Sequence, residues 1–246
     1  MASVALAPTE LGTEKIGKLL KMYAVPGIIA QTAASLYNMV DSIYIGHIPG
    51  VGSAAISGLA VTFPLMNLAT AMGTLVGGGA TTLISVLLGQ KNYDTARRVL
   101  SNVLSLNLII GALFSGVTLA FLDPILRFFG ASDVTLPFAR DYMLIILIGN
   151  VFTHLYFGFN GLIRASGHPK TAMGLTLFTV ISNAVLDPIF IFVFEMGIRG
   201  AALATVICQM AALVYTMKFF LDKKNLLHFP KPMFQIDWRI AGQSLA

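Results

Sequence analysis

Six long apolar runs, at residues 22–44, 54–88, 99–122, 142–163, 171–194 and 200–220, constrain this chain more than any other feature. Each matches or exceeds the ~20 residues that a helix needs to cross a bilayer. In hydrocarbon every backbone polar group must be satisfied within the protein, so separate runs of this length are read as helices. The chain is 56% hydrophobic and 11% charged, whereas a soluble domain carries about 25% charged residues. The reading is an all-α membrane protein with six transmembrane helices in the lipid bilayer. Residues 1–21 form a cytoplasmic segment, 22–221 the helical lobe, and 222–246 a cytoplasmic linker with the start of a seventh helix. The second run is too long for one simple crossing, so it either tilts and extends into the cytosol or breaks at Gly77, Gly78 and Gly79.

Orientation follows from Lys and Arg. Thirteen fall on one side: Lys15, Lys18, Lys21, Lys91, Arg97, Arg98, Arg164, Lys170, Lys218, Lys223, Lys224, Lys231 and Arg239. Only Arg127, Arg140 and Arg199 fall on the other. The positive-inside rule places the first set, and both termini, in the cytoplasm. The net charge of +5 is thereby a matter of topology and requires no nucleic-acid partner. Nothing in residues 1–7 resembles the basic start of a cleavable signal peptide. The lone Cys208 excludes a disulfide framework and a cysteine zinc site, and it reads as a small core or lipid-facing residue.

Within the apolar runs, two aspartates stand out. An ionisable residue at membrane depth costs about 2.5–3.5 kcal/mol on insertion scales and marks an ion or proton pathway by default. At 1.5 Å per residue, Asp41 lies roughly 8 Å from the outer end of its run, Asp187 roughly 12 Å and Thr205 roughly 9 Å. Asn183 precedes Asp187 by one turn and shares its face. Pro188 removes the backbone bond that would be accepted at Ala184. These are hard oxygen donors, suited to Na⁺ or H⁺ and poorly suited to a soft metal. Two adjacent carboxylates at low dielectric share a proton or a cation. The alternative is that each aspartate makes a static interhelical bond or caps a kink. Pro26 is either a bend point in the first helix or a proline near its entrance. His47, His168 and His228 fall in loops or at helix ends, and His154 reads as a packed core histidine or a proton relay. Gly73, Gly77, Gly78 and Gly79 have the spacing of a close helix contact.

Several segments resemble the multidrug and toxic compound extrusion (MATE) transporter family. Residues 183–191 (NAVLDPIFI) with 196–205 (MGIRGAALAT) are similar to its helix 5–6 signature. Residues 164–170 (RASGHPK) resemble its helix 4–5 loop, and 40–46 (VDSIYIG) the end of its first helix. The resemblance implies a twelve-helix transporter in two lobes, of which this chain supplies the N-terminal one. It implies that Asp41, Asn183, Asp187 and Thr205 form a cation or proton site, with Na⁺ a possible occupant, in the manner of the DinF-like branch. It implies that Pro26 bends the first helix and that Gln31, Tyr37 and Asn160 line the lobe cavity. The implied activity is export of small organic, often cationic or amphipathic, compounds from the cell across its inner or plasma membrane, coupled to H⁺ or Na⁺. No other cofactor is implied, and the missing C-terminal lobe is the implied partner.

Two other classes match the sequence less well. An intramembrane serine protease needs a serine with a base at membrane depth. Its nearest candidates, Ser166 and His168, lie in a basic loop, and such close neighbours on a helix cannot face one site. A lipid-linked oligosaccharide flippase is expected to carry basic residues in its cavity, and the helix interiors hold no Lys or Arg. The glycines are not followed by the Lys-Ser/Thr of a phosphate loop. The expectation is therefore a secondary transporter and not an enzyme.

Overall fold

The computed structural model describes residues 14–234 and 236–245, and these residues are helical with no strand. Residues 1–13, 235 and 246, within the expected N-terminal and linker segments, lie outside the described residues, as does the signal-peptide reading. The helices are α1 (Ile16–Gly46), α2 (Gly52–Gly89), α3 (Tyr93–Ala120), α4 (Leu122–Phe128), α5 (Leu136–Ala165), α6 (Pro169–Pro188), α7 (Ile198–Leu221) and α8 (Trp238–Leu245). A π-helical turn, Ile189–Val193, continues α6 beyond its proline.

Local chemistry sets the boundaries. Asn92 caps α3 by accepting from the Thr95 N–H at 3.3 Å, and Asp94 sits in the first turn, where a negative charge complements the helix dipole. Pro169 opens α6 at a position whose N–H has no intrahelical partner. Five of the described helices are long and apolar enough to cross a membrane: α2, α3, α5, α6 with its π turn, and α7. The sixth expected span, α1, is a continuous helix of 31 residues. It is not among the five, because Gln31, Ser35, Asn38, Asp41 and Ser42 interrupt its apolar run.

The second apolar run is one unbroken helix of 38 residues, roughly 57 Å long and so nearly twice the hydrocarbon thickness. Of the two alternatives for this run, the break at the glycines does not occur. Gly77 instead lets α2 touch α5: a Cβ there would lie 2.6 Å from the Gly158 Cα. Close backbone approach of this kind is how small residues hold membrane helices together.

Helix α5 sits at the centre, packed on α2, α3, α6 and α7, while α1 lies mainly on α6. Two apolar clusters fill the interior. One, near the end rich in Lys and Arg, includes Ile84, Leu100, Phe159 and Phe220. The other, near the opposite end, includes Ile45, Leu59, Met143 and Ala201. Buried polar groups on α3 and α5, among them Ser115, Asn150 and His154, fall between these clusters. Asn150 donates to the Ser115 hydroxyl at 3.0 Å, and the His154 ring packs against Gly73 and Gly111.

The charge asymmetry is sharpened by ion pairing. Each arginine on the sparse side has an aspartate partner: Arg127 with Asp133, Arg140 with Asp123, and Arg199 with Asp141. Of the thirteen basic residues on the rich side, Lys18 pairs with Glu14 and Arg97 with Asp94 among the described residues. The polar stretch after α7 folds back on the rich side. The Asn102 amide donates to the Asp237 carbonyl at 2.8 Å and accepts from its N–H at 3.1 Å. Arg97 Nε donates to the Leu226 carbonyl, and the Phe229 ring joins Phe159 and Phe220. Burying Leu227 and Phe229 here stabilises the docked segment by about 1.5–3 kcal/mol per side chain.

Candidate functional site

Three helices converge at one level. On α1, Tyr37 and Asp41 are four residues apart and share a face, as do Asn183 and Asp187 on α6. Helix α7 presents Thr205. The Tyr37 hydroxyl and Thr205 Oγ1 lie 2.9 Å apart, and Asn183 Nδ2 donates to Thr205 Oγ1 at 3.2 Å. The Asp41 and Asp187 carboxyl groups lie close enough to interact electrostatically. Asp187 is 0% exposed, Asn183 2%, and Asp41 and Thr205 5% each. All four residues expected to form one site are therefore adjacent.

Backbone features place Asp187. Pro188 follows it directly and ends α6, and the chain continues as the π turn. Such turns relieve the bond that proline cannot make and recur at functional sites. Gly200 then lets α7 press on that turn, since a Cβ there would lie 2.7 Å from the Phe190 carbonyl. The π turn is thus gripped from α7, and the Asp187 side chain is held between α1 and α7.

The unmet bonding at this point defines its chemistry. Asp41 Oδ1, Asn183 Oδ1 and both Asp187 oxygens are buried with no donor. Each such group costs about 1–3 kcal/mol, and more when charged. Neither carboxylate can donate to the other unless it carries a proton. The donor set, four buried oxygens on α1 and α6 with Thr205 beside them, suits a proton or a hard monovalent cation and offers nothing to a soft metal.

A cavity of about 430 Å³ opens beside the carboxylates. Its walls include Gln31, Tyr37, Asn160, Asn183 and Thr205, but neither aspartate. The bonded trio Tyr37–Thr205–Asn183 therefore stands between the cavity and the acidic pair. The expected cavity residues Gln31, Tyr37 and Asn160 all line it; Asn160 also donates to the Ala172 carbonyl at 3.3 Å, tying α5 to α6. Pro26 is buried well inside α1, which is helical on both sides of it, so the reading of a proline at the helix entrance does not hold.

Two expectations about other residues are corrected. No basic side chain was expected in the interior, yet Arg164 lines the cavity and donates to Asn160 Oδ1 at 3.3 Å. Helix α5 runs on to Ala165, which puts Arg164 in its last turn rather than in the loop. Ser166 and His168 were expected to point apart, yet Ser166 Oγ lies 3.3 Å from His168 Nδ1. Gly167, at φ +89°, reverses the chain between them. The Ser166 hydroxyl donates instead to the Ile163 carbonyl at 2.8 Å, so the pair is a helix-end bond and not a nucleophile with its base.

Sequence reasoning missed two neighbours of the site. Tyr142 of α5 is 1% exposed and lies close enough to interact electrostatically with Asp41, Tyr37 and Asp187. Cys208, one turn beyond Thr205, lines the cavity. A phenol at the start of an apolar run was a usable signal for Tyr142. Cys208 lay on the Thr205 face by the i, i+3 rule.

Known proteins resemble this chain over most of its length. The MatE family profile matches residues 26–189. The multidrug export protein MepA of Staphylococcus aureus (strain NCTC 8325 / PS 47) is 31% identical over 210 residues, 85% of this chain and 46% of that protein. MepA of Staphylococcus haemolyticus (strain JCSC1435) is 32% identical over 214 residues, 87% of this chain and 47% of that one. A crystal structure of MATE in the bent conformation superposes with a TM-score of 0.85 at 25% identity, covering 93% of this chain and 51% of that one. The chain spans about half the length of the curated relatives it matches.

Proposed function

The chain belongs to the MatE family, and we propose that it forms one lobe of a transporter of the cell membrane that exports organic, often cationic, compounds against an inward flow of H⁺ or Na⁺. The observation that carries this reading is the set of four buried oxygens without donors on Asp41, Asn183 and Asp187. The carboxylates hold the coupling cation, and the Asn183 carbonyl completes the donor set. Thr205 and Tyr37 link that set to the cavity wall through hydrogen bonds. A cation satisfying the four oxygens pulls α1 toward α6 and α7. Transport is coupled only if that grip differs between the two states of the transporter. Bending of α1 at Pro26 supplies such a difference, because the missing N–H weakens the helix between its first turns and the Tyr37–Asp41 face. The resemblance to the DinF-like branch supports this reading. The organic substrate occupies the 430 Å³ cavity together with a second lobe.

The test is coupled efflux by the full-length protein. Asp41→Asn and Asp187→Asn should each abolish export with membrane expression intact. Unchanged drug resistance in both variants refutes the proposal. Export measured with and without Na⁺ at fixed pH separates the two coupling ions.

A further inference from the structure

A second groove lies on the opposite side of α6 and shares no lining residue with the substrate cavity. Its volume is about 600 Å³. Helix α6 contributes Thr171, Gly174, Leu175 and Phe178, and α7 contributes Ala211, Val214, Tyr215 and Lys218. Each set follows the i, i+3, i+4, i+7 spacing of a single helix face. Gly174 hollows the groove, for a Cβ there would meet nothing within 4 Å. Phe178, Val214 and Tyr215 leave about half their surface open to the outside. Only 17% of the residues in the apolar window of α6 are buried. The walls run from Lys170 to Phe178, roughly 12 Å, or more than a third of the hydrocarbon thickness.

The groove is apolar along its length and cationic at one end. Lys170 and Lys218 both line that end, and neither has an ion pair or a side-chain hydrogen bond among the described residues. They sit on the side of the chain that carries thirteen of its sixteen Lys and Arg residues. The N-terminus of α6, a helix of 20 residues, adds positive potential of the same sign. Two unpaired cations at the interface above an apolar trough between helices are complementary to one ligand class. That class is a lipid with an anionic headgroup and an acyl chain. A zwitterionic lipid would leave the lysines uncompensated, and a soluble phosphate would leave the trough unfilled.

We propose that the α6–α7 groove binds an anionic phospholipid of the leaflet these lysines face, with Lys170 and Lys218 on the headgroup phosphate and the acyl chain against Gly174, Phe178 and Tyr215. This site is separate from the coupling and substrate sites, so it stands or falls independently of the transport proposal.

The experiment reconstitutes the chain in nanodiscs with trace photoactivatable phosphatidylglycerol or phosphatidylcholine, and maps the adducts by peptide mass spectrometry. Adducts within 171–178 and 211–215 should form several-fold more with phosphatidylglycerol. Removing one basic residue near the surface weakens anionic-lipid binding roughly five-fold, and removing two about 25-fold. Lys170→Gln and Lys218→Gln should each show the first loss and the double variant the second. Lys223→Gln, outside the groove, should leave the adducts unchanged. Gly174→Leu, which fills open space, should suppress labelling by both lipids. Equal labelling by the two lipids in the wild-type chain overturns the proposal without reference to any variant. No labelling at these peptides, as expected if protein covers the groove, overturns it as well, and so does full labelling of the double lysine variant.

Discussion

Replacing Asp187 by asparagine should stabilise the chain while destroying its response to cations. In the cation-free protein, three carboxylate oxygens of the Asp41–Asp187 pair are buried without donors. Asparagine keeps the shape of the side chain, removes one buried charge and offers an NH₂ donor beside the Asp41 carboxyl. Satisfying one orphaned buried acceptor recovers about 1–3 kcal/mol. A chain of this size gains about 2–4 °C in Tm per kcal/mol, so the rise should be roughly 2–12 °C. The wild-type chain should respond to the coupling cation instead. Ligand at 100 times its Kd contributes about 2.7 kcal/mol, and the variant should gain little or none of this. The protein carries its own reporter, because Cys208 is its one cysteine and is 2% exposed. A thiol-reactive dye therefore reads unfolding directly, and helical circular dichroism checks it, since Cys208 lines the cavity beside the site. The measurement compares both proteins across a Na⁺ titration at fixed pH and a proton titration without Na⁺. A variant less stable than wild type in the absence of Na⁺ would refute the reasoning. An equal cation-induced rise in both proteins would refute it too.

The same thermal assay separates two adjacent glycines. Gly77→Ala must push α2 away from the Gly158 backbone, 2.6 Å from the new Cβ, and should cost about 1–3 kcal/mol; Gly78→Ala meets open space and should be neutral or stabilising by up to about 1 kcal/mol. Equal effects would mean that the glycine pattern is not a packing contact. In the polar trio, Thr205→Val strands the Asn183 amide and should cost about 1–3 kcal/mol, whereas Tyr37→Phe should cost about 0.5–1.5 kcal/mol; the reverse order would show that Tyr37, not Thr205, is the hub. Asn102→Ala removes both bonds to the Asp237 backbone and should speed amide exchange in 226–242 roughly ten-fold or more, with little change in the transmembrane helices. Unaltered exchange there would place the anchoring in the Phe159–Phe220–Phe229 cluster instead.

Much of the fold was legible because its causes are local. Apolar run length dictates helices, and the lysine and arginine distribution separates two faces before any contact is known. The convergence of Asp41, Asn183, Asp187 and Thr205 was legible for a related reason. Helical rise is constant, so depth along three separate helices can be counted from their ends. What counting along a helix cannot supply is which faces meet. In sequence Gly77 is as suited to a break as to a contact, and the Gly158 backbone against it decides for the contact. Arg164 changed from loop residue to cavity wall because one more turn of α5 formed. Ser166 and His168 came together through the positive φ of Gly167.

The sequence by itself determined the solvent of this protein, its helices and the depth of its acidic pair, since these depend on composition and spacing within single segments. Only the tertiary structure decided that Tyr37 bridges to Thr205 and that Tyr142 stands beside the carboxylates. It alone divided α6 between a cavity on one face and a lysine-capped groove on the other. Those outcomes depend on how helices distant in sequence rotate and press against one another. That rotation is set by close-packed side-chain volume summed over the whole lobe, and no single segment contains it.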